Sequence, residues 1–155
     1  MSRLCDWAVE TLHRFEVAAV QEVAGLSEFK SATLGASSLR EFFMPPDHEL
    51  SDFRVFGSFH MDSYLGQVIL LERQAVQYVT DCFAGGRYVA VKYVDRRGRQ
   101  KLFISVHFPH SDNTDESYSS AIFSLSQMLR ECPGICTVVA GDWNAQPGDA
   151  RHAEL

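Results

Sequence analysis

Three short polar stretches of this sequence carry groups that could act together on a phosphate. Gln21-Glu22 follows the apolar run Phe15-Glu-Val-Ala-Ala-Val20, Val106-His107-Phe108-Pro109-His110 closes a β-rich run, and Gly141-Asp142-Trp143-Asn144 follows Cys136-Thr-Val-Val-Ala140. Polar groups where the strands of an α/β sheet end face a crevice instead of the core. A carboxylate, an imidazole and an Asp/Asn pair gathered there suit a hard cation. Mg2+ or Mn2+ takes one or two carboxylates and completes its shell with water and phosphate oxygens. Such a cation stabilises the charge that develops on a phosphoryl group. Each stretch also has a plainer explanation. Gln21-Glu22 reads as a solvated loop start, His107 as a hydrogen-bonded structural residue, and Gly-Asp-Trp-Asn as a turn whose Asp and Asn cap the backbone. The three in this order are harder to explain separately.

The elements that must position them are mostly strands. Leu4, Trp7, Ala8, Thr11 and Leu12 have helical spacing, so a short helix is expected over 4–14. Residues 15–20 read as a buried strand. Residues 23–50 are mixed, with Met44-Pro45-Pro46 ending anything helical before it. Residues 52–56 alternate as a strand does, and 65–71 and 75–79 are further strands. The clearest signal is a hairpin: residues 88–94 and 101–108 are β-rich and flank a polar turn containing Gly98. Tyr118, Ala121, Ile122, Leu125, Met128 and Leu129 form one helical stripe, with Asp115 and Glu116 at its start, Arg130 near its end and Pro133-Gly134 beyond. Residues 136–140 make a last buried strand. The order is that of an α/β protein whose sheet includes antiparallel pairing.

Composition narrows the function classes. The chain of 155 residues is 46% hydrophobic and 22% charged, so it is globular and long enough to bury a core as one domain. Fourteen Lys and Arg against twenty Asp and Glu leave a net charge of −6, which does not advertise a broad nucleic-acid surface. A metal-bound phosphate site is still compatible, because the cation inverts the local charge. Cys5, Cys82, Cys132 and Cys136 are too scattered for a disulfide framework or a zinc site and read as reduced thiols. With no apolar run of membrane-spanning length and no signal-peptide pattern, the expectation is an intracellular, soluble protein, nucleus and cytoplasm undistinguished. P-loop, HExxH, GxSxG and GxGxxG motifs are all absent. The basic turn Arg96, Arg97, Arg99 and Lys101 reads as a solvated hairpin tip in preference to a phosphate contact.

The three polar stretches together resemble the exonuclease–endonuclease–phosphatase superfamily, over roughly residues 5–149. Its members include deoxyribonuclease, abasic-site endonucleases, inositol polyphosphate 5-phosphatases and the endonuclease domains of retrotransposons. Gly141-Asp142-Trp143-Asn144-Ala145 is the most specific piece, and His107-Phe-Pro-His110 looks most like the retrotransposon type. Leu65-Gly66-Gln67-Val-Ile-Leu resembles a G-G-V-A-I strand of the family, with Gln67 a departure. The resemblance implies an α/β fold: a partial deoxyribonuclease-like β-sandwich with flanking helices and a mixed or antiparallel sheet. It implies a metal-dependent phosphodiester hydrolase, an endonuclease first, using Mg2+ or Mn2+ on nucleic acid. Glu22 would be a metal ligand. Asp142 would position or activate the attacking water or bind the metal region. Asn144 would orient phosphate or water, His107 would contact the scissile phosphate, and Arg87 would meet phosphate as an Arg does in some relatives. The family's opening strand ending in Asn and its closing S-D-H find no match here. The expectation is therefore a single, incomplete domain lacking the first strand and the C-terminal third. The alternatives are a catalytically inactive remnant, or a phosphatase of inositol phosphates, lipids or nucleotides on the same scaffold.

Overall fold

The computed structural model describes residues 15–23, 29–34, 39–59, 66–110 and 115–145; the helix expected over 4–14 lies outside them. Along the chain come β1 (Val17–Val23), β2 (Lys30–Thr33), β3 (Leu39–Phe43), β4 (Phe53–Phe59), β5 (Gly66–Glu72), β6 (Val76–Gly85), β7 (Tyr88–Asp95), β8 (Gln100–His107), α1 (Asp115–Arg130) and β9 (Cys136–Asp142). The strands form two sheets, ordered β1-β5-β4-β3-β2 and β6-β7-β8-β9. Every pairing is antiparallel except β8 with β9, which α1 connects as a crossover.

Alternation along the strands sorts side chains into three cores. Between the sheets lie Phe56, Ile69 and Leu71 from one sheet against Val89, Val91, Tyr93 and Phe103 from the other. The outer face of the first sheet buries Val23, Phe42, Val55, Val68 and Leu70 under Leu50 and Phe29. The outer face of the second sheet presents Ala90, Leu102, Ile104 and Val106 to Tyr118, Ala121, Leu125 and Met128 of α1, the stripe expected from helical spacing. Gly134, at φ 73°, takes the left-handed position in the Pro133-Gly134 turn beyond the helix.

Two regions differ from the sequence reading. Residues 23–50 contain β2 and β3, whose Lys30-Ser-Ala-Thr33 and Leu39-Arg-Glu-Phe-Phe43 lack clean apolar alternation. Partner strands hold them instead: Glu41 on β3 takes Arg54 of β4 in two hydrogen bonds of 2.8 and 3.1 Å. β6 runs on to Gly85, past the expected residue 79, because register shifts near Tyr78 and Asp81 break its alternation while its pairing with β7 continues.

Candidate active site

β8 lies between β7 and β9, and its last residue brings three of the expected groups into one row. The N–H of His107 donates to the carbonyl of Arg87 at 3.0 Å on one side. On the other side His107 is the register partner of Asp142. Arg87 belongs to the two-residue turn between β6 and β7, so the fold aligns the backbones of Arg87, His107 and Asp142 in one row across this edge. His107 alternates with Ser105 and Phe103, which puts it on the face toward the first sheet. Its ring makes no hydrogen bond among the described residues and meets only the ring of His110, edge-on at 6.3 Å. The structural explanation of His107 as a satisfied histidine therefore finds no partner among the described residues.

The Gly-Asp-Trp-Asn stretch is a locked turn. Gly141 has φ 141°, and a Cβ there would run into the backbone of Val106, so no other residue fits. Asp142 Oδ1 accepts the N–H of Asn144 at 2.9 Å, which closes an Asx turn. Asn144 is left-handed at φ 47°, and its side-chain amide donates to the Phe108 carbonyl at 2.7 Å. Phe108 N–H in turn donates to the Asp142 carbonyl at 2.9 Å. Beneath the turn, Trp143 packs edge-on against buried Phe108 with ring centroids 5.1 Å apart, and its carbonyl accepts the Tyr118 hydroxyl at 3.1 Å. The backbone-capping reading of this stretch is thus correct as far as it goes. It leaves the second oxygen of exposed Asp142 without a hydrogen bond among the described residues, and one hydrogen of the Asn144 amide free.

Gln21-Glu22 reaches the same end of the molecule from the other sheet. β1 does not stop at Val20 but continues to Val23 through a bulge. Val20 pairs with Val68 and Val23 with Gly66, so Gln21 and Glu22 together oppose Gln67 alone. The extra residue returns Val23 to the outer core beside Val20 and keeps Gln21 toward the second sheet. There the Gln21 amide donates to Ser105 Oγ at 3.0 Å, two residues short of His107. The backbone at Glu22 is therefore tied to the His107 strand; the Glu22 side chain lies outside the described residues.

Sequence reasoning overlooked Ser105, fully buried, and treated Gln67, 6% exposed, only as a departure from a pattern. Their signal was a single polar residue inside an otherwise apolar run. Gln67 alternates with Ile69 and Leu71 and so faces the space between the sheets, and its side-chain oxygen is buried without a hydrogen-bond partner.

The basic turn lies at the opposite end of β8, about 23 Å from His107 at ~3.3 Å per residue. Asp95 accepts the N–H groups of Arg97 and Arg99 at 2.9 Å each and the Arg99 guanidinium at 2.8 Å. Lys101 bonds Glu16 at 2.8 Å and approaches Asp95 at 3.4 Å. These bonds, the Arg99 N–H foremost, hold the Asp95 carboxyl well below the usual carboxylate range. Two of the four basic residues are thereby consumed in ion pairs. Cys82, Cys132 and Cys136 are free thiols, and burial pushes Cys82 up to about 12, so it is no nucleophile at neutral pH. Among the described residues no helix is long and apolar enough to cross a membrane.

No family model and no curated protein matches the sequence. Solved structures do match the fold. A Bacteroides thetaiotaomicron endonuclease/exonuclease/phosphatase family protein superposes with a TM-score of 0.67 at 12% identity, over 98% of this chain and 57% of its own. The human Nocturnin catalytic domain with bound sulfate gives 0.65 at 14% identity, over 99% and 60%. The fold is that of the endonuclease/exonuclease/phosphatase proteins. D. rerio TDP2 complexed with single-strand DNA product gives 0.63 at 15% identity, over 98% of this chain and 55% of its own. The partial deoxyribonuclease-like sandwich with mixed pairing is therefore the architecture of this chain, which spans less than two-thirds of the length of these relatives.

Proposed function

We propose that this end of the sandwich hydrolyses phosphodiester bonds in nucleic acid with Mg2+ or Mn2+, acting as an endonuclease. The observation that carries the reading is the row Arg87–His107–Asp142 beside the Gln21-Glu22 bulge. Support for nucleic acid as substrate comes from D. rerio TDP2, which shares the fold and holds a single-strand DNA product.

The donors present fit a hard cation. Glu22 offers a carboxylate by sequence, Asp142 an oxygen without a hydrogen bond among the described residues, and Gln67 a buried acceptor that a bound water could satisfy. Among the described residues no three His, Cys, Asp or Glu side chains cluster on their own, so water and phosphate oxygens must complete the shell. When bound, the cation supplies charge stabilisation to the phosphoryl group. Glu22 would be its protein ligand. Asp142 orients the attacking water through its free oxygen. His107, unengaged among the described residues, donates to a phosphate oxygen as charge builds there, and Arg87 holds the phosphate from the neighbouring turn. Asn144, fixed by its bond to Phe108, turns its remaining amide hydrogen to water or phosphate.

The test is nicking of supercoiled plasmid DNA by the 155-residue chain with and without Mg2+, beside Glu22→Ala. Nicking is expected only with Mg2+, and Glu22→Ala should abolish it. Equal rates for the two proteins would overturn the assignment. Release of inorganic phosphate from inositol phosphates or nucleotides, with plasmid left intact, would transfer the same residues to a phosphatase.

A further inference from the structure

Gln67 is the one described residue with a buried side-chain polar atom that finds no partner. It opposes the Gln21-Glu22 bulge in β1 and pairs with Ser58 in β4, and it faces the space between the sheets. Ser58, Gln67 and Ser105 are the buried polar residues at this end of the sandwich, and Gln21 bridges to Ser105. An apolar residue would pack here at no such cost, since an unsatisfied buried acceptor costs about 1–3 kcal/mol. The next four residues of β5, Val68-Ile-Leu-Leu71, are apolar and fully committed to the two cores. The place of Gln67 in the sheet, in register opposite the two residues that carry the expected metal ligand, gives the cost a use.

We propose that Gln67 is a positioning residue for the divalent cation: its side-chain oxygen accepts a hydrogen bond from the hydration shell of the cation held at Glu22. This rests on the metal-dependent reading above. The neutral amide orients a bound water without adding charge, and its acceptor is satisfied when the cation binds. Partners of this kind, one step removed from the metal, typically change affinity by 10- to 100-fold when lost.

The probe is Mn2+ alone, titrated calorimetrically into the 155-residue chain and into Gln67→Met, Gln67→Glu and Glu22→Ala. Gln67→Met keeps the shape and removes the acceptor. It should bind Mn2+ at least ~10-fold more weakly, while its metal-free thermal midpoint stays the same or rises. Gln67→Glu should restore binding. A merely structural Gln67 would move the midpoint and leave Mn2+ affinity alone. Wild-type affinity in Gln67→Met, with Glu22→Ala defective, overturns the role of Gln67 and spares the site. A wild-type chain that takes up no Mn2+ overturns the site and this inference together. If Gln67→Met does not fold, Gln67→Glu decides: affinity below wild type overturns the proposal.

Discussion

Both ends of the sandwich are polar, but their polar groups are spent differently. At the hairpin tip, Asp95 is buried and collects two backbone N–H groups and the Arg99 guanidinium, with Lys101 shared between it and Glu16. At the other end, His107 and the second oxygen of Asp142 are unengaged among the described residues, Gln67 keeps an orphaned oxygen, and Gly141 and Asn144 hold left-handed backbone. The first end uses charge to fasten β7, β8 and β1 together. The second tolerates unmet valences and unusual dihedrals, which persist only where surrounding packing over-determines them. That packing is visible: Phe108, Trp143 and Tyr118 brace the turn from beneath.

The contrast can be broken most severely at Gly141. Gly141→Ala drives a methyl into the Val106 backbone and should cost on the order of 3 kcal/mol, read as a fall in the urea midpoint. A shift of a few tenths would show that the β8–β9 contact is slack. His107→Ala should cut phosphodiester cleavage by about 10²–10⁴-fold while moving unfolding by no more than about 0.5 kcal/mol. A large stability loss with modest kinetic effect would move His107 to the fastening class.

Asp95 tests the other end. Its folded-state pKa is depressed, so its stabilising contribution is present above the ordinary carboxylate value and is lost as pH falls. Wild-type stability should begin to drop below about pH 4 and go on dropping until Asp95 is protonated in the folded protein. Asp95→Asn should be less stable at neutral pH and show a flatter acid branch. An unchanged branch would mean that other carboxylates govern acid unfolding. The smallest effect is expected from Arg96→Ala and Arg97→Ala together. Plasmid affinity and its salt dependence should stay as they were, whereas a fall of about one unit per residue in the slope would show phosphate contacts at the tip.

The strands and the helix were legible because their periods are local. Burial of α1 on one stripe, and of residues 88–94 and 101–107 on two faces, follows from side-chain alternation that any short window of the chain displays. β2, β3 and the far half of β6 were not legible, since their neighbours hold them and their own patterns do not. Of the candidate site, residue types were readable and geometry was not. That Gln21-Glu22 is a bulge depends on register against Gln67, which the pairing of β1 with β5 sets and no residue of β1 sets alone.

The chain's own residues determined that there would be apolar strands with polar tips at His107 and Asp142, because burial and turn chemistry act over a few neighbours; Glu22, expected at a tip, lies inside β1. Only the tertiary structure decided that His107 lies between Arg87 and Asp142, that Gln21 crosses from one sheet to Ser105 of the other, and that Gln67 keeps a buried oxygen unmet. Those facts join residues as many as 84 positions apart. They depend on which strand pairs with which, a choice made by the packing of two sheets against one another.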